Sequence, residues 1–266
     1  MNTNIPEHIL TIDAGNTQMV LGLYQGETLL THWRLSSAIH TTADELGWQI
    51  FGMFSQEKLD PKRVDAIMVA SVVPHLDAAI EEACERIVGQ TPAFVGSPDV
   101  KTGMAVDYKN PREVGADRIA NAVAARELFG SPVIVLDCGT ATTFDIVSPQ
   151  GHYAGGLIIP GVEVALQALC KRAAKLPEVS LRRTDELIGR DTIASMQAGS
   201  YWAAIESLNG ITRRLKALPE YAEAPVIATG GLAERLLNDL DHVQQHIPHL
   251  TLNGLRKLAM KHFTPR

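Results

Sequence analysis

Cysteine is scarce. The chain of 266 residues holds Cys84, Cys138 and Cys170, none in Cys-x-x-Cys spacing. So sparse a set excludes a disulfide framework and suits a reducing compartment, so a cytoplasmic location is expected. Basic charge is not in excess either. Lys plus Arg number 24 against 30 Asp plus Glu, for a net charge of −6. A dedicated nucleic-acid binder carries the opposite balance, so no nucleic-acid partner is expected, although a local basic pocket for an anion stays open. Long apolar runs are missing: the longest, 154–170, is broken by Pro160, Glu163 and Gln167. That falls short of the ~20 apolar residues of a membrane helix, and no membrane association is expected. Residues 1–8 are polar and lack a basic stretch followed by an apolar one, so no signal peptide is expected.

Several nucleotide and hydrolase signatures are also missing. No glycine precedes a lysine and no two glycines are spaced Gly-x-Gly. This excludes the P-loop and the Rossmann and protein-kinase glycine loops. Gly-x-Ser-x-Gly and His-Glu-x-x-His do not occur.

What is present is a repeat. Ile9-Leu-Thr-Ile-Asp13-Ala-Gly15-Asn-Thr17 resembles Val133-Ile-Val-Leu-Asp137-Cys-Gly139-Thr-Ala141-Thr-Thr143. Each is a β-rich apolar run ending in Asp-x-Gly, followed by a second β-like run, a turn (Gln25-Gly26, Pro149-Gln150-Gly151) and a third run. The offset, 137 − 13 = 124 residues, is close to half the chain. Asp-x-Gly alone is common; its matching place in each half points to a duplicated fold.

Helical signals follow. Thr42-Ala-Asp-Glu45 reads as a capping box before Leu46, Ile50, Phe51 and Phe54. A buried strand over 64–73 leads into Pro74 and a helix to about Val88. Asn110-Pro111 is a cap followed by a first-turn proline, opening a helix to Phe129 that stops at Gly130. Asp191 can cap a long helix with Ile193, Met196, Ser200, Ala204, Leu208, Ile211 and Leu215 on one face. A final strand over 225–229 ends in Gly230-Gly231 and leads into another helix. Strands followed by helices in each half give an α/β fold of two lobes, 1–130 and 131–266, around a cleft. Ligands belong where the strands' carboxyl ends face that cleft.

The Asp-x-Gly loops carry candidate chemistry. Gly15 permits close backbone approach, Asn16 and Thr17 offer donors, and successive N–H groups can cradle phosphate. Asp13 is a hard-oxygen ligand suited to Mg²⁺, directly or through water. A plain turn in which Asp and Asn satisfy the backbone reads equally well. The second loop adds Thr140, Thr142 and Thr143, and Gly230-Gly231 would let backbone approach an adenine or ribose. Gly115-Ala116-Asp117-Arg118 falls in the first turns of the Asn110-Pro111 helix, where glycine costs about 1 kcal/mol relative to alanine. Asp117 could accept a proton from an attacking alcohol, and Arg118 could bind an anion; an ordinary surface ion pair is the competing reading. His242, His246 and His249 have helical spacing for a metal, but Pro248 intervenes and no Cys or Glu completes the set. Cys138 reads as a small buried side chain and Tyr201-Trp202 as core or an oligomer contact.

Taken in order, Asp13-x-Gly-Asn-Thr17, Asn110-Pro-x-x-Val-Gly-Ala-Asp-Arg118, Asp137-x-Gly-Thr-Ala-Thr-Thr143, Pro160-Gly161, Gly189-Arg-Asp-Thr192 and Thr229-Gly-Gly231 resemble the type III pantothenate kinase family, also called the Bvg accessory factor family. The likeness runs from Asp13 to about Leu236. It implies the duplicated fold of actin, sugar kinases and heat-shock ATPases. It implies ATP-dependent phosphorylation of pantothenate, the first step of coenzyme A synthesis. By the resemblance, Asp13, Ala14, Gly15, Asn16, Thr17, Gln18, Met19 and Val20 bind ATP phosphates, and Thr140 touches ATP. Tyr108, Gly115, Ala116, Asp117 and Arg118 bind pantothenate, with Asp117 as base. Thr192 contacts pantothenate from across the dimer or cleft. Asp137 holds a monovalent cation, K⁺ or NH₄⁺, and Mg²⁺ accompanies ATP. Members are usually homodimers. Some carry a Lys near the end of the first loop, whereas positions 18–20 here are Gln-Met-Val; weak ATP affinity is the expected consequence. Another small-molecule kinase of the same fold, or a non-catalytic regulatory protein, are the rival readings.

Overall fold

The computed structural model describes residues 5–38, 40–173 and 175–264. The chain forms two compact units. One is drawn from the chain up to Met104, Tyr108–Ala124 and the chain from Leu250 onward; the other from Ala105–Asp107 and Ala125–His249.

The first unit is built on strands β1 (His8–Ala14), β2 (Gln18–Gln25), β3 (Thr28–Ser36), β4 (Ala66–Ser71) and β5 (Ala93–Phe94). Their order is β3-β2-β1-β4-β5. β1, β2 and β3 form an antiparallel meander, while β4 lies parallel to β1 on its other side and β5 parallel to β4. β1 and β4 are almost wholly buried, and β3, at the edge, alternates exposed and half-buried positions. An inner strand needs apolar side chains on both faces; an edge strand needs them on one.

Helices α1 (Ala43–Gln56) and α2 (Pro74–Ile87) contribute Leu46, Ile50, Phe54, Leu76 and Ile80 to the core with Leu10, Ile12, Leu21 and Val69. Each such side chain contributes roughly 1.5–3 kcal/mol by leaving water. α1 starts on the expected capping box: Thr42 Oγ1 accepts the Glu45 N–H at 3.2 Å and Glu45 Oε2 accepts the Thr42 N–H at 2.9 Å. Phe51, expected on the buried face, is exposed.

The second unit repeats the plan. Strands β6 (Val133–Cys138), β7 (Ala141–Val147), β8 (Tyr153–Pro160), β9 (Val226–Thr229) and β10 (Val243–His246) run in the order β10-β9-β6-β7-β8. β6 to β8 form the antiparallel meander, and β9 and β10 add parallel strands on the other side. Reversed, that order matches the first sheet strand for strand, so the duplication read from Asp13 and Asp137 is present in the fold. Helices α4 (Val162–Arg172), α5 (Thr192–Lys216) and the short α6 (Ala233–Leu236) accompany this sheet. Asp191 caps α5 as expected, its Oδ1 accepting the Ala194 N–H at 2.8 Å.

Three expectations change. The segment over 225–229 is not the last strand: β10 follows, and His246 lies in it, so the helical spacing of His242, His246 and His249 does not exist. Among the described residues no group of three or more His, Cys, Asp or Glu is placed to hold a metal ion. Asn110-Pro111 opens a 3₁₀ turn, Pro111–Glu113, and α3 (Ala116–Phe129) begins only after Gly115. Gly115 thus precedes the helix, its carbonyl accepting the Ile119 N–H at 3.1 Å. The compact units also draw on chain segments that the contiguous halves 1–130 and 131–266 keep apart. The last helix, α7 (Leu250–Phe263), packs on β1, β2 and β4, and Thr251 Oγ1 donates to Asn121 Oδ1 of α3 at 2.8 Å. Among the described residues no helix is long and apolar enough to cross a membrane.

Candidate active site

In the first unit the expected ATP segment is mostly strand. Asp13 pairs with Val20 and Ala14 with Met19 across the β1–β2 hairpin, so only residues 15–17 form the turn. The Ala14 and Met19 side chains are buried in the core, leaving Asn16, Thr17 and Gln18 exposed. The Gly15 N–H is already used, donating to Gln18 O at 3.0 Å. The part of this hairpin open to a ligand is therefore the exposed tip, with Asp13, half-buried, at the strand's end.

Val72 joins this strand end to the Gly-Ala-Asp-Arg motif. Its N–H donates to Ala14 O at 3.0 Å. Its Cγ1 lies 3.5 Å from where a Cβ on Gly115 would stand. The same Cβ would collide with Asp117 Oδ1, so only glycine leaves room for that carboxylate. Asp117 sits in the first turn of α3, and its Oδ1 accepts the Arg118 N–H at 2.8 Å. Burial raises its pKa above the usual carboxylate value, and the Arg118 N–H and guanidinium only partly oppose the rise. A carboxylate made more basic by burial, yet kept in place by a backbone donor, is a fitting proton acceptor. Arg118 is buried, and Tyr108 is 38% exposed in the segment leading to Asn110.

In the second unit three loops meet at the end of β6. Asp137 lies opposite Thr143 and Thr229 in the sheet. The Thr140 carbonyl accepts the Gly161 N–H at 3.1 Å, and the Cys138 carbonyl accepts the Leu232 N–H at 3.0 Å. Gly230 takes φ +91°, and a Cβ there would strike Asp137 Oδ1 and the Cys138 backbone. Asp137, Thr140 and Gly230-Gly231 are thus brought together, as the order of the motifs suggested. Burial pushes the Cys138 thiol up to about 12, so it stays protonated and is no nucleophile.

Beside these loops a groove of about 1120 Å³ runs between α4 and α5. Thr142, Pro160, Arg190 and Thr192 line it, along with apolar residues of both helices. The Thr142 hydroxyl is buried with no hydrogen-bond partner.

Comparison with known proteins identifies the lineage. The family model described as type III pantothenate kinase matches residues 9–214. The type III pantothenate kinase of Myxococcus xanthus is 46% identical over 93% of this chain and 96% of its own. That of Halalkalibacterium halodurans is 42% identical over 95% and 99%. The chain belongs to the type III pantothenate kinase family. A Baf family transcriptional activator from Campylobacter jejuni shares the fold, with a TM-score of 0.57 at 21% identity, covering 95% of this chain and 98% of that one. So does a 2-dehydro-3-deoxygalactonokinase from Sinorhizobium meliloti, with a TM-score of 0.54 at 12% identity over 97% and 98%. The fold is that of the actin-like sugar kinases.

Sequence reasoning missed two clusters in this chain. Asp145, fully buried, accepts the Tyr153 hydroxyl at 2.9 Å and the Thr143 hydroxyl at 3.4 Å. Asp239 accepts from Arg183 and from Tyr201, the latter at 2.6 Å. Partners 38 and 56 residues apart leave no local pattern to read.

Proposed function

We propose that this chain transfers the γ-phosphoryl group of ATP to the primary hydroxyl of pantothenate, giving 4'-phosphopantothenate, with Asp117 as the base. Type III pantothenate kinase is a kinase that phosphorylates pantothenate in coenzyme A biosynthesis. The observation that carries the residue-level reading is the pairing of Gly115 with Asp117. The motif leaves space for one carboxylate, and burial raises its basicity. Asp117 takes the hydroxyl proton as the oxygen attacks γ-phosphorus in line and the bond to the bridging oxygen of ADP breaks. Such a transfer depends chiefly on positioning and on offsetting charge at the phosphoryl oxygens.

Asp13, with the tip formed by Asn16, Thr17 and Gln18, would hold the Mg²⁺ and phosphates of ATP, and Thr140 would touch the nucleotide from the second loop. Ala14, Gly15, Met19 and Val20 shape that tip through backbone alone. Asp137 suits a monovalent cation such as K⁺ or NH₄⁺: it offers hard oxygen, and the missing side chain at Gly230 leaves a cradle that a Cβ would fill. Bound cations would offset phosphate charge. Tyr108, Gly115, Ala116 and Arg118 would bind pantothenate, and Thr192 would contact it too.

A homodimer is part of the proposal. Ser195, Gly199, Ala203 and Ser207, four apart on α5, are exposed small residues that line the α4–α5 groove, so a second copy would seat on that groove. The three cysteines are unpaired, as expected of a protein working in the reducing cytoplasm.

The test is ADP release from ATP and Mg²⁺, with and without pantothenate, in K⁺ and in Na⁺ buffer. Pantothenate-dependent turnover that needs K⁺ supports the substrate and the role of Asp137. No turnover from the folded protein under any cation removes both.

A further inference from the structure

Between α4 and α5 the chain runs through residues 175–191 without helix or strand. Irregular segments of this length inside a compact domain usually serve a function. This one borders the groove at both ends, through Leu176 at its start and Gly189 and Arg190 at its close, where it delivers Asp191 and Thr192 to the N-terminus of α5. Its far end is tied to the helix: Ser195 Oγ donates to Gly189 O at 3.3 Å.

The middle of the segment is fastened to the body of the unit. Arg183 grips Asp239 with two prongs, Nε to Oδ2 at 2.8 Å and Nη2 to Oδ1 at 3.2 Å. Its guanidinium also lies over the Trp202 ring, 5.7 Å from the centroid. The Tyr201 hydroxyl donates to the same Asp239 Oδ2 at 2.6 Å. Asp239 is itself held from behind, its carbonyl accepting Asn209 Nδ2 at 3.0 Å. Arg183 and then Tyr201 hold its carboxyl below the usual range, so the charged form persists at working pH. A second fastening lies two residues earlier. Arg235 donates to Leu181 O and, at 2.7 Å, to Glu163 Oε1 in the first turn of α4. Both fastenings start from α6 and the 3₁₀ turn after it, the segment that follows Gly230-Gly231.

We propose that Arg183, Asp239 and Tyr201 form a latch that positions the 175–191 segment, and with it Arg190 and Thr192, for contact with pantothenate. All three are positioning residues: they act through the segment and touch no reacting atom. The proposal rests on the reading of Thr192 as a pantothenate contact. Bidentate geometry matters here because a planar guanidinium fixes direction as well as distance, which a lysine cannot do.

Arg183 is 46% exposed on its side chain, so replacing it leaves the core intact. Steady-state kinetics on Arg183→Ala are expected to show a pantothenate KM about tenfold higher, with the ATP KM unchanged and a melting temperature slightly lowered because Asp239 loses its cationic partner. Arg183→Lys is expected to fall between that variant and the wild type. An unchanged pantothenate KM, or equal shifts in both KM values, overturns the latch. Hydrogen exchange, read without turnover, keeps the two readings apart. Amides over 175–191 are expected to exchange faster in Arg183→Ala while the rest of the unit does not change. If the wild-type protein ignores pantothenate while Arg183→Ala still shows this loss of protection, the substrate reading fails and the latch stands. Unchanged protection sinks the latch itself.

Discussion

The Asp117 carboxylate occupies the space that a side chain at Gly115 would need. The two residues are therefore one device. Gly115→Ala is expected to push the carboxylate off its place while the core stays whole, because the new methyl meets a side-chain oxygen and the half-buried edge of Val72. Turnover should fall by about 10²-fold, as small misplacements of a reacting group do, with the ATP KM little changed. Full activity in this variant would separate Gly115 from the chemistry.

Asp117→Asn tests the base directly. Turnover should drop by about 10²- to 10⁴-fold, the usual contribution of a general base, with the fold retained. The pH dependence carries a second signature. Because burial raises the folded pKa, the active carboxylate form is lost on acidification at a pH above the ordinary carboxylate value of about 4. The acid limb of kcat/KM should sit there and vanish in the variant. Stability moves the other way. Between the ordinary and the raised pKa the folded chain binds the proton more tightly than the unfolded one, so stability declines as pH rises through that window. Asp117→Asn escapes this loss and should melt no lower than wild type at neutral pH. Near-normal turnover would take Asp117 out of the base role.

Much of this was legible in the sequence because it is local. Asp13 and Asp137 announce their strands and turns within a few residues, the Thr42–Glu45 box is a four-residue pattern, and Asp191 caps α5 through its own neighbour. The loops of the second unit could be ordered from their glycines. What stayed hidden is set by distance. β10 was missed because a strand of four residues, half of them polar and exposed, earns its place by pairing with β9, not by its own pattern. Helix α7 gave no sign that it would pack on β1, β2 and β4, strands from the first 71 residues of the chain. The start of α3 was misplaced because Asn110-Pro111 satisfies both a 3₁₀ turn and an α-helix, and only the following Val114-Gly115 decides between them.

ATP affinity follows from the hairpin tip. Gln18 and Val20 carry no charge and Met19 is buried, so no cationic side chain from this stretch meets the phosphates. Calorimetric titration with Mg²⁺-ATP should give a dissociation constant above the low micromolar range. A tighter value would show that the rest of the site neutralises the phosphates without help from that position.

Gly230→Ala separates the cation from the fold. Its φ of +91° is one that only glycine adopts without strain, and the added methyl would meet Asp137 Oδ1 and the Cys138 backbone. Strain of this kind costs about 1–3 kcal/mol, so the melting temperature should fall. The same methyl invades the cradle beside Asp137, so the K⁺ concentration needed for half-maximal activity should rise well beyond what the loss of stability explains. Asp137→Asn serves as the reference, since it removes the charge and leaves the backbone turn alone. If both variants lose K⁺ dependence while Asp137→Asn keeps its melting temperature, the carboxylate and the glycine belong to one cation site. If Gly230→Ala melts lower but keeps the wild-type K⁺ response, the glycine serves the turn alone and the cation sits elsewhere.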